Sequence, residues 1–131
     1  LDSIMAAHVL YPKADTKPAG FSSYWLQTIL RDTLHFTGVV FSDDLSMKGA
    51  IAEGDITQRA HAALRAGCDM LILCNDFEAS DLLLKTLQFE DSPQRQERVK
   101  RLMPKGEALQ WEALVNSALY KRSKALISCI E

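Results

Sequence analysis

Two adjacent carboxylates, Asp43 and Asp44, end a run that begins Gly38-Val39-Val40-Phe41-Ser42. A short β-branched run of this kind reads as a buried parallel strand. Packed interiors do not take unpaired Asp, so a strand that stops at two acids delivers them to a rim or a cleft. Neighbouring carboxylates at such a place suit acid–base chemistry. Adjacent side chains diverge, so one of the pair faces the cleft while the other caps the following turn or ties down a loop. Two further apolar runs end in polar residues: Ile4-Met5-Ala6-Ala7 at His8, and Met70-Leu71-Ile72-Leu73-Cys74 at Asn75. Polar residues at corresponding ends of neighbouring parallel strands make a site. His8 either donates to a ligand hydroxyl there or bonds backbone in the core. Met47 either walls the pocket or packs under the loop, and Asn75 divides as His8 does, between a ligand contact and a structural bond.

The elements that position these side chains alternate along the chain. Val9 to Gly20, with Pro12 and Pro18, is a loop longer than an ordinary strand–helix connection. Ser22 or Ser23 caps a helix whose apolar positions are Trp25, Leu26, Ile29, Leu30 and Leu34, with Arg31 and Asp32 facing outward. The strand Val39 to Ser42 follows, then a loop from Leu45 to Gly54 with a short helical turn. Asp55 caps a helix from Ile56 to Ala66, striped by Ile56, Ala60, Ala63 and Leu64, with Gly67 as its C′ glycine. The strand ending at Cys74 leads to a helix from Phe77 to Leu87. The repeat of strand and helix, with strand starts roughly 30–35 residues apart, has the size of βα units. The remainder is helical: Gln94 to Met103 behind Ser92-Pro93 and ended by Pro104, then one longer helix from Trp111 to Ile130. Trp25 and Trp111 read as core residues, and Cys74 as a buried, inert thiol.

Composition narrows the function classes. The 131 residues make one domain, and 47% hydrophobic residues suffice for a core. With 15 Lys and Arg against 17 Asp and Glu, the net charge of −2 points to neither nucleic acid nor an anionic membrane surface. No apolar run approaches the ~20 residues of a membrane-spanning helix. The three cysteines are far apart and lack metal-ligand spacing, so a reducing cytoplasm is the expected setting. Three strands cannot close an eight-stranded barrel, which takes about 250 residues. A free three-stranded sheet would expose Ile4-Met5-Ala6-Ala7 as an edge. The chain, which begins Leu1-Asp2-Ser3-Ile4-Met5, is therefore expected to be part of a longer protein whose upstream portion is absent here.

Residues Gly38 to Ala50, Gly-Val-Val-Phe-Ser-Asp-Asp-Leu-Ser-Met-Lys-Gly-Ala, resemble the signature of the family 3 glycoside hydrolases. Within that family they look like the bacterial β-N-acetylglucosaminidases of peptidoglycan recycling. Ile4 to Tyr11, Tyr24 to Arg31 and Ala66 to Asn75 resemble segments of those enzymes in the same order. The resemblance implies an α/β fold, the C-terminal part of a (β/α)8 TIM-type barrel. Residues 1–88 would form its last three βα units and residues 89–131 its C-terminal helices. It implies a retaining exo-β-N-acetylhexosaminidase that removes terminal β-linked N-acetylglucosamine from anhydro-muropeptides in the cytoplasm. Asp43 would be the nucleophile and Asp44 a supporting residue, with His8 and Met47 against the carbohydrate substrate. The family's acid/base, an Asp-His pair, lies on an upstream loop that this chain lacks, so the chain alone would be inactive. No metal, no organic cofactor and no nucleic-acid partner is implied. Two other readings stay open: a barrel lyase using Asp43 as base, which would want a strand-tip Lys, and a non-catalytic remnant that binds a partner or sugar.

Overall fold

The structure, a computed structural model, describes residues 1–129. Three parallel strands form one sheet: β1 (Ser3–Ala6), β2 (Val39–Asp44) and β3 (Met70–Ile72), in the order β1-β2-β3. The α/β expectation is met. β2 is the central strand, and Val39, Val40 and Ser42 are fully buried, as the unbroken β-branched run requires. Registers pair Ile4 with Val40 and Ala6 with Ser42. These positions face a core completed by Phe21, Leu26, Leu45, Cys68 and α1 (Ile56–Ala66). α1 buries Ala60, Ala62, Ala63 and Ala66, small residues that let it lie close on the strands. It starts in a reciprocal capping box between Asp55 and Gln58, two hydrogen bonds of 2.8 Å, and stops at Gly67.

The other face of the sheet is covered at Val39, which is fully buried, and left open beyond it. Met5, Phe41 and Met70 are register neighbours there, and Met5 is 57% and Met70 37% exposed. Stacked layers normally hide such a row.

Two helices differ from expectation. Tyr24–Thr33 is wound as a π-helix, closed by bonds such as Leu34 N–H to the Ile29 carbonyl at 2.9 Å. The wider turn brings residue i+5 over residue i. Arg31 therefore stands above buried Leu26 and turns inward instead of outward, while Leu34, expected on the apolar stripe, is 65% exposed. The single helix expected from Trp111 breaks at Ser117 into α4 (Trp111–Asn116) and α5 (Ala118–Ile127). The extended Ser117 turns its hydroxyl to accept the Tyr120 N–H at 3.1 Å, the capping preference that makes serine a poor interior residue. Trp111, expected in the core, is 67% exposed and meets only Tyr120 edge-on at 6.2 Å among the aromatic rings. The expected helix end at Ile130 lies outside the described residues. α2 (Phe77–Thr86) and α3 (Pro93–Arg101) sit close to their expected bounds.

Candidate active site

The C-terminal tips of β1 and β2 lie side by side, and the β2 tip is irregular. Phe41 pairs with Met70 but Asp44 pairs with Ile72, so three steps on β2 match two on β3. This bulge falls at Ser42 and Asp43. Bulges next to functional sites re-aim a side chain. The lost ladder bond is replaced from the side: Ser42 Oγ accepts the Ile72 N–H at 2.9 Å. Beyond the bulge the ladder resumes with Leu45 N–H on the Ile72 carbonyl at 2.9 Å.

The two carboxylates divide. Asp43 is half-buried, and its Oδ1 accepts the Asp44 N–H at 2.8 Å. Its second oxygen has no hydrogen-bond partner among the described residues. Asp44 accepts from the Ser46 N–H at 2.9 Å, the Ser46 hydroxyl at 2.7 Å and the Cys74 N–H at 3.0 Å. Burial raises the Asp44 carboxyl, but these donors together outweigh it and hold the group below its usual range. Asp44 thus binds its own turn to the tip of β3, and Asp43 keeps an oxygen open.

His8 lies against the same tip. Its ring stacks on Phe21 with centroids 4.4 Å apart and planes 1° from parallel. Burial pushes the imidazole below its ordinary value, and the Asp43 charge leads the effects that oppose the shift. Neither ring nitrogen has a hydrogen-bond partner among the described residues. Met47, beyond the Asp44 turn, is 45% exposed at the start of the 3-10 turn Lys48–Glu53. The structure therefore brings His8, Asp43 and Asp44 together and leaves Met47 on the adjoining rim. Asn75 is exposed with φ of 58°, a left-handed turn position that Asn tolerates. Cys74 is exposed, contrary to the buried thiol expected of an apolar run; the strand ends at Ile72 and releases it. The inert thiol is Cys68, fully buried and pushed up to about 12 by desolvation.

Several residues that hold the site were not singled out in the sequence. Arg59 of α1 reaches both ends of the loop after β2, donating to the Leu45 carbonyl at 2.9 Å and the Gly54 carbonyl at 2.7 Å. Asp15 accepts from the Ser22 hydroxyl and pins the loop after β1, whose ends also meet through Ala19 N–H on the Val9 carbonyl at 2.9 Å. At the opposite end of β2, Asp69 accepts from the Val40 N–H at 2.9 Å, Arg31 Nη2 at 2.9 Å and Arg98 Nη2 at 2.5 Å. The Asp69 side chain is 1% exposed. An acid directly ahead of an apolar strand was the available signal for this clamp, since a buried carboxylate demands donors. A cavity of about 460 Å³ borders Arg31, Phe36, Pro93 and Arg98 at this far end, away from Asp43. Among the described residues no three His, Cys, Asp or Glu side chains are grouped to hold a metal ion, and no helix is long and apolar enough to cross a membrane.

Comparison with known proteins supplies a frame for this geometry. Residues 1–103 match the sequence model of the glycosyl hydrolase family 3 N terminal domain. A beta-hexosaminidase of Bordetella parapertussis is 48% identical over 130 residues, which cover 99% of this chain but 37% of that protein. The chain thus spans a little over a third of this relative's length. In solved structures, native NagZ from Neisseria gonorrhoeae superposes with a TM-score of 0.78 at 33% identity, covering 98% of this chain and 36% of that one. The same protein in complex with N-trifluoroacetyl-D-glucosamine gives 0.74 at 35% identity, covering 94% and 34%. The three strands and their helices accordingly form part of a TIM-barrel-like domain, which explains the open part of that sheet face.

Proposed function

The chain belongs to glycosyl hydrolase family 3, and from that premise we propose that Asp43 is the nucleophile of a retaining β-N-acetylhexosaminidase. The observation that carries this reading is the bulged strand tip, where one Asp43 oxygen is held by a backbone N–H and the other is open. That open oxygen attacks the anomeric carbon as the bond to the leaving oxygen breaks, and a protonated acid elsewhere in the full-length protein gives that oxygen its proton. The product is a glycosyl ester of Asp43. Water then attacks the same carbon, its proton returns to the acid/base, and the carboxylate leaves with configuration retained.

The acid/base belongs to the upstream part of the barrel, as the family resemblance implies, so the 131-residue chain carries half of the machinery. Residues 1–88 are the last βα units of that barrel and residues 89–131 its C-terminal helices. His8 and Met47 border the sugar pocket, with Asp44 supporting the turn beneath it. The substrate is terminal β-linked N-acetylglucosamine on 1,6-anhydro-muropeptides released during cytoplasmic peptidoglycan recycling. The Bordetella relative, a beta-hexosaminidase, and the Neisseria complex with N-trifluoroacetyl-D-glucosamine support the sugar.

The test uses the full-length protein and an aryl N-acetyl-β-glucosaminide. Asp43→Ala should lower turnover by at least roughly 10⁴-fold, the low end of the losses when one member of a catalytic set is removed, with the circular dichroism spectrum unchanged. Turnover at the wild-type rate would sink the assignment. The 131-residue chain by itself should hydrolyse nothing detectable.

A further inference from the structure

His8 occupies a slot closed on three sides. Phe21, itself 2% exposed, covers one ring face. A Cβ on Gly20 would stand 3.0 Å from His8 Nδ1, and one on Gly49 would stand 3.1 Å from the His8 Cβ and 2.8 Å from its carbonyl oxygen. Two glycines thus let backbone from both flanking loops close on this residue. The third side is the β2 tip. Two residues past the last register pair, Ala6 with Ser42, His8 comes level with Asp43 and Asp44. Its ring faces the charge and the backbone of Asp43, then the backbone and charge of Asp44.

Both ring nitrogens are buried without a partner among the described residues. Such atoms are rare in native proteins and each one asks for a reason, a role in the site being one of them. A flat apolar side chain would fill the slot with no orphaned nitrogen. Among the elements packed on His8, the turn Ala19–Phe21 brings no ionisable side chain, and the turn Lys48–Glu53 carries Lys48 beside the Gly49 contact and Glu53 at its far end. The ionisable groups that face the ring are therefore those of the β2 tip.

We propose that His8 is a positioning residue for Asp43, a ring wedged on Phe21 that braces the bulged β2 tip from behind. Its ring lies toward the Asp43 and Asp44 backbone with no hydrogen bond formed among the described residues; such bonds are often long before substrate arrives and tighten with it. The nucleophile is thereby fixed without a positive charge beside it, and a charged imidazole would instead pull on the carboxylate that must attack. The inference rests on Asp43 being the nucleophile but concerns how it is held.

The experiment takes the full-length protein with isotope-labelled histidine and follows the His8 resonance against pH, identified by its loss in His8→Gln. In Asp43→Asn the titration midpoint should fall further, because a carboxylate that raises it has gone. A midpoint indifferent to Asp43→Asn overturns the inference whatever the reaction is. The kinetic arm compares His8→Phe, which keeps the stacked ring without its nitrogens, with His8→Asn, which keeps a donor near the Nδ1 position. His8→Phe should lower kcat by about 10- to 100-fold with KM within about twofold, and His8→Asn should recover part of the loss. A raised KM with kcat unchanged would make His8 a sugar-binding residue, and wild-type kinetics in His8→Phe would make it packing alone; either result overturns the proposal. Absence of N-acetylglucosaminide turnover by the wild type defeats the glycosidase reading instead, and the titration still decides the His8–Asp43 contact.

Discussion

The two ends of β2 each hold an aspartate, and they treat it in opposite ways. At the N-terminal end Asp69 is sealed at 1% exposure, with two guanidinium groups and a strand N–H turned onto it. Burial, followed by the Arg98 charge, pulls Arg31 below its usual value, a sign of how crowded the clamp is. At the C-terminal end Asp43 keeps one backbone bond and an open oxygen, beside an imidazole whose nitrogens are unpartnered among the described residues. A carboxylate satisfied on all sides can only hold structure. One left short of partners, at a bulge, has capacity for a ligand. Barrels place stability at the bottom of the strands and chemistry at the top, and the two ends of β2 differ in that same sense.

The contrast is sharpest if each acid is removed in turn. Asp43→Ala should cost the full-length enzyme at least roughly 10⁴-fold in turnover while shifting the denaturant midpoint little, since only one local hydrogen bond is lost. Asp69→Ala should do the reverse. It leaves Arg31, Arg98 and the Val40 N–H uncompensated, a loss of about 3–5 kcal/mol for a broken buried pair. Urea unfolding of both variants checks the comparison. An Asp69→Ala protein as stable as the parent would mean that the clamp is ornamental, and an unfolded Asp43→Ala would mean that the open carboxylate is structural.

How much of this was legible depended on whether the signal was local. The strands and α1 were readable because β-branched runs, the Asp55 cap and the Gly67 stop act within a few residues. Asp43 stands out in the sequence because a strand ending in acid is locally unreasonable unless it serves a cleft, and the structure sets it at a bulge with one oxygen open among the described residues. Arg31 was misread because its direction depends on the π winding of a whole helix and on Asp69, 38 residues away. Trp111 was misread because apolar spacing shows that a face exists but not what covers it. The bulge was invisible, since it is a mismatch between two strands whose sequences are separately ordinary. His8 was seen as a strand-tip residue, but its slot is made by Phe21, Gly20 and Gly49 from two different loops.

Asp44 gives the next, smaller effect, and it separates the two neighbours at the same tip. Its bonds to Ser46 and Cys74 resemble a cap, so Asp44→Ala should cost about 0.5–2 kcal/mol and lower activity only as the turn loosens. Its folded carboxyl titrates below the ordinary 3.8 because Ser46 and Cys74 donate to it. The unfolded chain therefore binds the proton first on acidification, and the contribution of Asp44 is complete above pH 3.8 and fades as the pH falls through the folded value. A wild-type minus Asp44→Ala stability difference that persists undiminished to pH 2 would contradict this.

His8 supplies the smallest and most diagnostic effect, because its window lies elsewhere on the pH scale. Against an ordinary value of 6.5, the imidazole titrates lower in the folded state, pushed down by burial. Between the two, the unfolded chain holds more protons, so stability must rise with pH across that window and fall as the solution is acidified below 6.5. The mechanism is the cost of charging a ring between Phe21 and backbone, offset in part by Asp43. Thermal midpoints taken from pH 7.5 to 5 should therefore drop more steeply in the wild type than in His8→Phe, which has nothing to protonate at that position. In Asp43→Asn the drop should continue to lower pH, because the ring takes its proton later without the carboxylate. Parallel curves for the wild type and His8→Phe would place the ring in contact with water after all, and would remove the distinction between a braced top and a sealed bottom on which the comparison of the two ends of β2 depends.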